Sequence, residues 1–172
     1  QKQSTDVGPI DIGIGHDYQL VVTSLADIKF SSKTCSHCCE DCQNPLTWDP
    51  NGGLPFDEAA KEEVFAELEK NYISGITLSG GDPLYPGNRM DIRNLVKEIR
   101  EKYPKKTIWM YTGYEWEIVR SFDILKYVDV LVDGEYEKDK RDTQLHWRGS
   151  SNQRVIDVQE SLKTGNVVLH SS

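Results

Sequence analysis

Apolar residues recur along the chain with two different periods. Short runs of four or five mostly apolar residues predict β-strands at 20–23, 75–78, 107–111 and 128–132. Apolar residues at every third or fourth position predict amphipathic helices over 57–72 and 89–102, the first with Asp57 as its N-cap. A shorter helix is expected over 115–126. A helix near 158–162 and a strand at 167–169 are expected to follow a polar loop at 139–154.

The alternation of strands and helices predicts an α/β fold with a mostly parallel sheet and outer helices. Each central strand runs into a polar turn that contains glycine, namely 79–83, 112–114 and 133–134. Parallel strands place their carboxyl ends at one edge of the sheet, where ligands of such folds bind. We therefore expect these three turns to form one rim.

Length and charge narrow the class of protein. The 172 residues, 37% hydrophobic and 28% charged, predict a single globular domain over 1–172. A formal net charge of −8 argues against binding the phosphate backbone of nucleic acids. No apolar run approaches the roughly 20 residues of a membrane helix. No leader pattern precedes the domain, so a cytoplasmic location is expected.

All four cysteines lie within residues 35–42, which predicts metal or cluster ligation, or redox chemistry. Two C-x-x-C pairs, Cys35 with Cys38 and Cys39 with Cys42, would suit a structural zinc or a redox pair. The alternative grouping is Cys35, Cys39 and Cys42, with Cys38 as a bystander. Three thiolates suit a [4Fe–4S] cluster with one iron left open to a ligand. The spacing favours the cluster, with zinc as the next alternative.

The stretch 35–48 resembles the cluster loop of anaerobic ribonucleoside-triphosphate reductase activating proteins. These are small members of the radical S-adenosylmethionine superfamily. Four further stretches share the resemblance, which runs from about Cys35 to about Leu169: 75–86, 108–114, 130–134 and 147–154.

The resemblance implies a partial (β/α) barrel of the radical S-adenosylmethionine type, with the cluster on Cys35, Cys39 and Cys42. It implies that the turn after the second predicted strand holds the amino group of S-adenosylmethionine. Thr112 is expected to meet the adenosine of the cofactor or, as the alternative, to stabilise its turn, and Asp133 to face the cofactor ribose or to cap a turn. The residues of the turn are Gly80, Gly81, Asp82 and Pro83.

The implied reaction is reductive cleavage of S-adenosylmethionine to a 5′-deoxyadenosyl radical, which makes a glycyl radical on the reductase. The implied partners are the large subunit of anaerobic ribonucleotide reductase and a flavodoxin-type electron donor. The alternative is a metal- or cluster-stabilised binding module without radical activity.

Departures from the family pattern motivate that alternative. Residues 1–34 form a divergent segment in which Asp17 replaces an expected arginine and 25–34 is an insertion before the cysteines. Asp41 replaces a usual glycine, and Glu135 replaces a usual lysine or arginine. Among the remaining polar residues, His37 is expected to be a solvated loop histidine and Tyr114 to adjoin the cofactor. Trp147 and Arg148 are expected to contact the partner or to form a stacked surface pair.

Overall fold

The computed structural model describes residues 12–14, 19–22, 35–42 and 57–171. The predictions about Asp17, the insertion 25–34 and the second half of the 35–48 stretch lie outside these residues. Within them, the backbone forms a mixed α/β fold around one six-stranded sheet. None of the helices in the described ranges is long and apolar enough to cross a membrane.

The six strands lie side by side in chain order. The strands β2 to β5 are mutually parallel, and the two edge strands pair antiparallel with their neighbours. Their bounds are β1 Ile12–Ile14, β2 Gln19–Val22, β3 Gly75–Leu78, β4 Thr107–Tyr111, β5 Val130–Asp133 and β6 Arg154–Asp157. The parallel centre with outer helices confirms the α/β prediction.

Two long helices cover the sheet, and both follow the predicted pattern. In α1 (Glu58–Leu68) the Asp57 carboxylate accepts from the Ala60 N–H at 2.9 Å, as an N-cap does. In α2 (Arg89–Lys102) the apolar stripe is buried: Ile92, Leu95, Val96 and Ile99. The buried residues of both helices share one core with Ile76 and Leu78 of β3 and Leu131 of β5, and all residues of these two strands are buried.

The structure corrects four boundaries. The first helix ends at Leu68, so Tyr72 lies beyond it and is 54% exposed. The predicted helix 115–126 is two short pieces, α3 (Trp116–Val119) and a 3₁₀ turn (Asp123–Tyr127). The chain breaks between them because Phe122 is extended, with its ring against the guanidinium of Arg89.

The other two corrections concern the chain after residue 150. Strand β6 begins inside the predicted loop 139–154 and pairs with β5, Leu131 opposite Ile156. The predicted strand at 167–169 is reduced to one bridge between Leu169 and Ile156. Between these, α4 (Val158–Thr164) confirms the predicted helix and is capped by Asp157.

Candidate functional site

The three predicted turns do meet at one rim. The Thr112 N–H donates to the Val132 carbonyl at 3.0 Å, and the Gly134 N–H donates to the Tyr114 carbonyl at 3.1 Å. These bonds continue the ladder between β4 and β5 beyond the strands themselves. The carboxyl ends of β3, β4 and β5 therefore form a single connected edge, as the parallel order predicts.

Asp82 holds this rim together. Its side chain is 1% exposed, and its Oδ1 accepts from the Leu84 N–H at 2.9 Å. The Thr112 hydroxyl and the Gly113 N–H each reach the same carboxylate at 2.9 Å. His37 Nε2 lies 2.7 Å from Oδ2. A buried carboxylate with this many donors is fully satisfied, so Asp82 ties the β3 turn to the β4 turn.

The turn before Asp82 depends on its two glycines. Gly80 and Gly81 have φ of +77° and +57°, in the left-handed region that residues with a Cβ seldom adopt. Both residues are partly exposed, unlike Asp82 and Pro83, which are buried. The turn therefore presents backbone rather than side chains to the solvent side of the rim.

Thr112 and Asp133 are both buried within the rim. The Thr112 hydroxyl donates to Asp82 and accepts the Tyr114 N–H at 3.2 Å, which stabilises the turn. Asp133 is 1% exposed and accepts from the Trp116 N–H, at the start of α3, at 2.8 Å. Arg154 also binds the Asp133 carboxylate. Its Nε donates to one oxygen at 3.1 Å, and its Nη2 donates to the other.

The cysteine loop separates the four thiols by burial. Cys35, Cys39 and Cys42 are partly buried, whereas Cys38 is exposed. Burial raises the pKa of the Cys35 thiol to about 11, and the nearby Asp82, Cys39 and Cys42 add to the increase. Burial also raises the pKa of Cys39. The three thiols of the C-x-x-x-C-x-x-C grouping thus share a degree of burial that Cys38 does not.

The loop backbone explains one departure from the family pattern. Asp41 has φ of +58°, and the Cys42 N–H closes a turn on the Cys39 carbonyl at 3.1 Å. Aspartate tolerates this left-handed conformation better than most residues with a side chain. Asp41 therefore preserves the conformation for which a glycine is usual.

The arrangement of the described thiols does not by itself identify a metal site. Among the described His, Cys, Asp and Glu side chains, no group of three or more is arranged to hold a metal ion. The three sulfur donors nevertheless suit a [4Fe–4S] cluster chemically, since thiolates are its usual ligands. The expected ligands therefore share a loop and a degree of burial.

His37 is not the solvated histidine that the sequence suggested. Its side chain is 9% exposed, and its ring nitrogens lie 2.7 Å from Asp82 and 2.7 Å from Glu135. The ring also meets the edge of Tyr114, with centroids 4.7 Å apart. The hydrogen bond with Asp82 is the main cause that raises the pKa of His37, and the bond with Glu135 adds to it.

A cavity of about 970 Å³ opens beside His37 at the ends of β4 and β5. This is the size of an ordinary small-molecule site. Its lining is mainly acidic. Among the described lining residues, four are glutamates, whereas only Lys140 and Arg154 carry a permanent positive charge. The glutamates are Glu115, Glu117, Glu135 and Glu137.

Sequence reasoning gave no role to Arg154 or Gln153, which close this end of the site. Arg154 joins Asp133 to Glu117, with contacts of 2.9 and 3.1 Å to the latter. The buried Gln153 side chain accepts from Gly149 and donates to the Gly134 carbonyl. Both lie in a stretch that the resemblance singled out, 147–154, and that was the only signal for them.

Trp147 and Arg148 have separate surroundings. The Trp147 ring packs on Trp109, with centroids 5.4 Å apart, and near His170. The Arg148 guanidinium donates to the Gln153 carbonyl at 2.6 Å. Trp147 therefore packs against β4, whereas Arg148 stabilises its own loop.

A family model described as a 4Fe-4S single cluster domain matches residues 28–156 of the chain. Three curated relatives share the name anaerobic ribonucleoside-triphosphate reductase-activating protein. The one from Enterobacteria phage T4 is 48% identical over 121 residues, which covers 70% of this chain and 77% of the relative. Those from Escherichia coli K12 and Pasteurella multocida are 43% and 41% identical, over 70% of this chain and 81% and 80% of their own lengths. No solved structure matches the chain.

Proposed function

Since the chain belongs to the family of anaerobic ribonucleoside-triphosphate reductase-activating proteins, we propose that it activates such a reductase through a [4Fe–4S] cluster and S-adenosylmethionine. The observation that carries the proposal is the burial pattern of the loop. Cys35, Cys39 and Cys42 are partly buried beside the strand-end rim, and Cys38 is exposed. Three thiols in one environment fit three ligands of a cluster better than they fit the four ligands of a zinc site.

Each rim residue has a role in the proposal. A cluster on the three thiols would supply the electron for reductive cleavage of S-adenosylmethionine and leave one iron open to its amino and carboxylate groups. Gly80 and Gly81 offer exposed backbone to the cofactor amino group, while the saturated carboxylate of Asp82 and the buried Pro83 fix the turn.

Thr112 and Asp133 serve the cofactor through the shape of the rim. The Thr112 hydroxyl already donates to Asp82, and the Asp133 carboxylate already accepts from Trp116 and Arg154. Thr112 holds the β4 turn to the β3 turn, and Asp133 holds the end of β5 to the start of α3, so both fix the rim beside the cavity. Although Glu117, Glu135 and Glu137 have ion-pair partners, carboxylates outnumber cations in the described lining of the cavity, which favours a ligand that carries positive charge, such as a sulfonium.

The proposal also includes the architecture and the partners. Four adjacent parallel strands with outer helices support a partial (β/α) barrel in a single domain. The large subunit of an anaerobic ribonucleotide reductase is the substrate, and a flavodoxin-type protein donates the electron.

The decisive experiment is metal analysis of the protein after anaerobic reconstitution with iron and sulfide. We expect a brown protein with about four irons per chain, and release of methionine from S-adenosylmethionine on reduction. Cys39→Ala should lose the iron, and Cys38→Ala, its matched neighbour, should keep it. A colourless protein that holds one zinc and loses it in Cys38→Ala would overturn the proposal in favour of a zinc-stabilised binding module.

A further inference from the structure

His37 connects the cysteine loop to three strand ends at once. Nε2 lies 2.7 Å from the Asp82 carboxylate after β3, and Nδ1 lies 2.7 Å from the Glu135 carboxylate after β5. The ring edge meets Tyr114 after β4. Each ring nitrogen faces a carboxylate oxygen, so the two contacts fix the plane and the direction of the ring.

The β4 turn is shaped to receive this ring. A Cβ added at Gly113 would lie 2.5 to 2.7 Å from the Cδ2, Nε2 and Cγ atoms of His37. These are its three nearest neighbours, and real Cβ atoms do not approach so closely. Gly113 is not among the residues with positive φ, so the glycine is needed here for the space that it leaves and not for its backbone.

A second tie on the same loop provides a contrast. Lys138 Nζ lies 3.2 Å from Glu40 and 2.9 Å from Asp41, and all three side chains are 46% or more exposed. Exposed ion pairs of this kind contribute little. The contact of His37 with the buried Asp82 is therefore expected to attach the loop to the rim more strongly than this ion pair does.

We propose that His37 is a positioning residue, whose ring fastens the cysteine loop to the ends of β3, β4 and β5 and so sets the place of its thiols beside the Gly80–Gly81 turn. This inference rests on the proposed function only in the assumption that the thiols of the loop hold a cluster. In this arrangement Glu135, which stands where the family usually has a lysine or arginine, pairs with His37 of the loop.

The first test measures alkylation of each cysteine in the reduced, metal-free protein, by peptide mass spectrometry after timed exposure to iodoacetamide. We expect His37→Ala to speed the alkylation of Cys35, Cys39 and Cys42 about tenfold or more, because loss of the contact with the buried Asp82 lets the loop open more often. Cys38 is already exposed and should change less than about twofold. Lys138→Met, the matched control on the same loop, should leave all four rates within about twofold of the wild-type rates.

The second test perturbs the contact between His37 and the β4 turn at Gly113. Gly113→Ala should displace the ring and raise the same three rates, and it should add nothing when His37 is already alanine, as expected for two changes at one contact. His37→Gln, which keeps one N–H donor, should fall between alanine and the wild type. If His37→Ala does not fold by circular dichroism, Gly113→Ala decides the question by the same measurement.

A third measurement separates this proposal from the function it serves. In reconstituted protein, His37→Ala should keep the iron content but require about tenfold more S-adenosylmethionine to change the electron paramagnetic resonance of the reduced cluster. If the wild type itself binds no cluster, the proposed function fails while the alkylation result still stands. Alkylation rates in His37→Ala and Gly113→Ala within about twofold of the wild-type rates would overturn the positioning role.

Discussion

Replacing Asp82 by asparagine tests whether the rim depends on one carboxylate. Asparagine has the same shape but only one acceptor oxygen. Its amide nitrogen must face either the Leu84 N–H or the Gly113 N–H, both now 2.9 Å from a carboxylate oxygen. An unsatisfied buried donor costs about 1–3 kcal/mol, and the lost charge-assisted bond to His37 costs about 1.5–3 kcal/mol. We therefore expect Asp82→Asn to lower the free energy of unfolding by roughly 3–5 kcal/mol.

The assay is urea denaturation of the reduced, metal-free protein, followed by tryptophan fluorescence. In a chain of this size the loss corresponds to a fall in melting temperature of about 10 °C. Asp142→Asn is the matched control, because Asp142 also accepts the N–H two residues later, from Gln144 at 2.9 Å, but is exposed. The control should change stability by less than about 0.5 kcal/mol. A loss below about 1 kcal/mol in Asp82→Asn would refute the reasoning.

Three further substitutions test neighbouring contacts by the same denaturation. Thr112→Val removes the donor to Asp82 and the acceptor of a backbone N–H, and should cost about 1–3 kcal/mol, with Thr112→Ser close to the wild type. Gly75→Ala should prevent a stable fold or cost more than about 4 kcal/mol, because its Cβ would collide with the backbone of Thr107 in the neighbouring strand. Asp157→Ala removes the cap that accepts from the Glu160 N–H at 3.0 Å, and should cost about 1 kcal/mol with no change in iron content.

The sequence predicted well those elements whose apolar residues recur with one short period. In α2 the spacing of Ile92, Leu95, Val96 and Ile99 defines a single stripe, and all four are buried. Strand β6 was missed because its four residues follow a polar loop and carry no clear alternation. It forms because β5 offers an open ladder, with Val132 opposite Val155, and that partner is remote in sequence.

The same distinction applies to the site. The meeting of the three turns followed from parallel strands, so it could be predicted without any side-chain contact. The bonds of His37 could not, because they depend on the space at Gly113 and on two carboxylates that lie 45 and 98 residues away. The bond between Arg154 and Asp133 could not be predicted either, because the contact is visible only in three dimensions.

The order of the strands also has a consequence for the kinetics of folding. The strands from β3 to β6 are joined to one another by shorter connections. The connection between β2 and β3 is longer, since it spans residues 23–74. Closing a longer loop costs more entropy, by about 0.6 kcal/mol for each doubling, and pairings distant in sequence form late. We therefore expect residues 75–157 to nucleate the sheet, so that the cysteine loop closes on a rim that is already built.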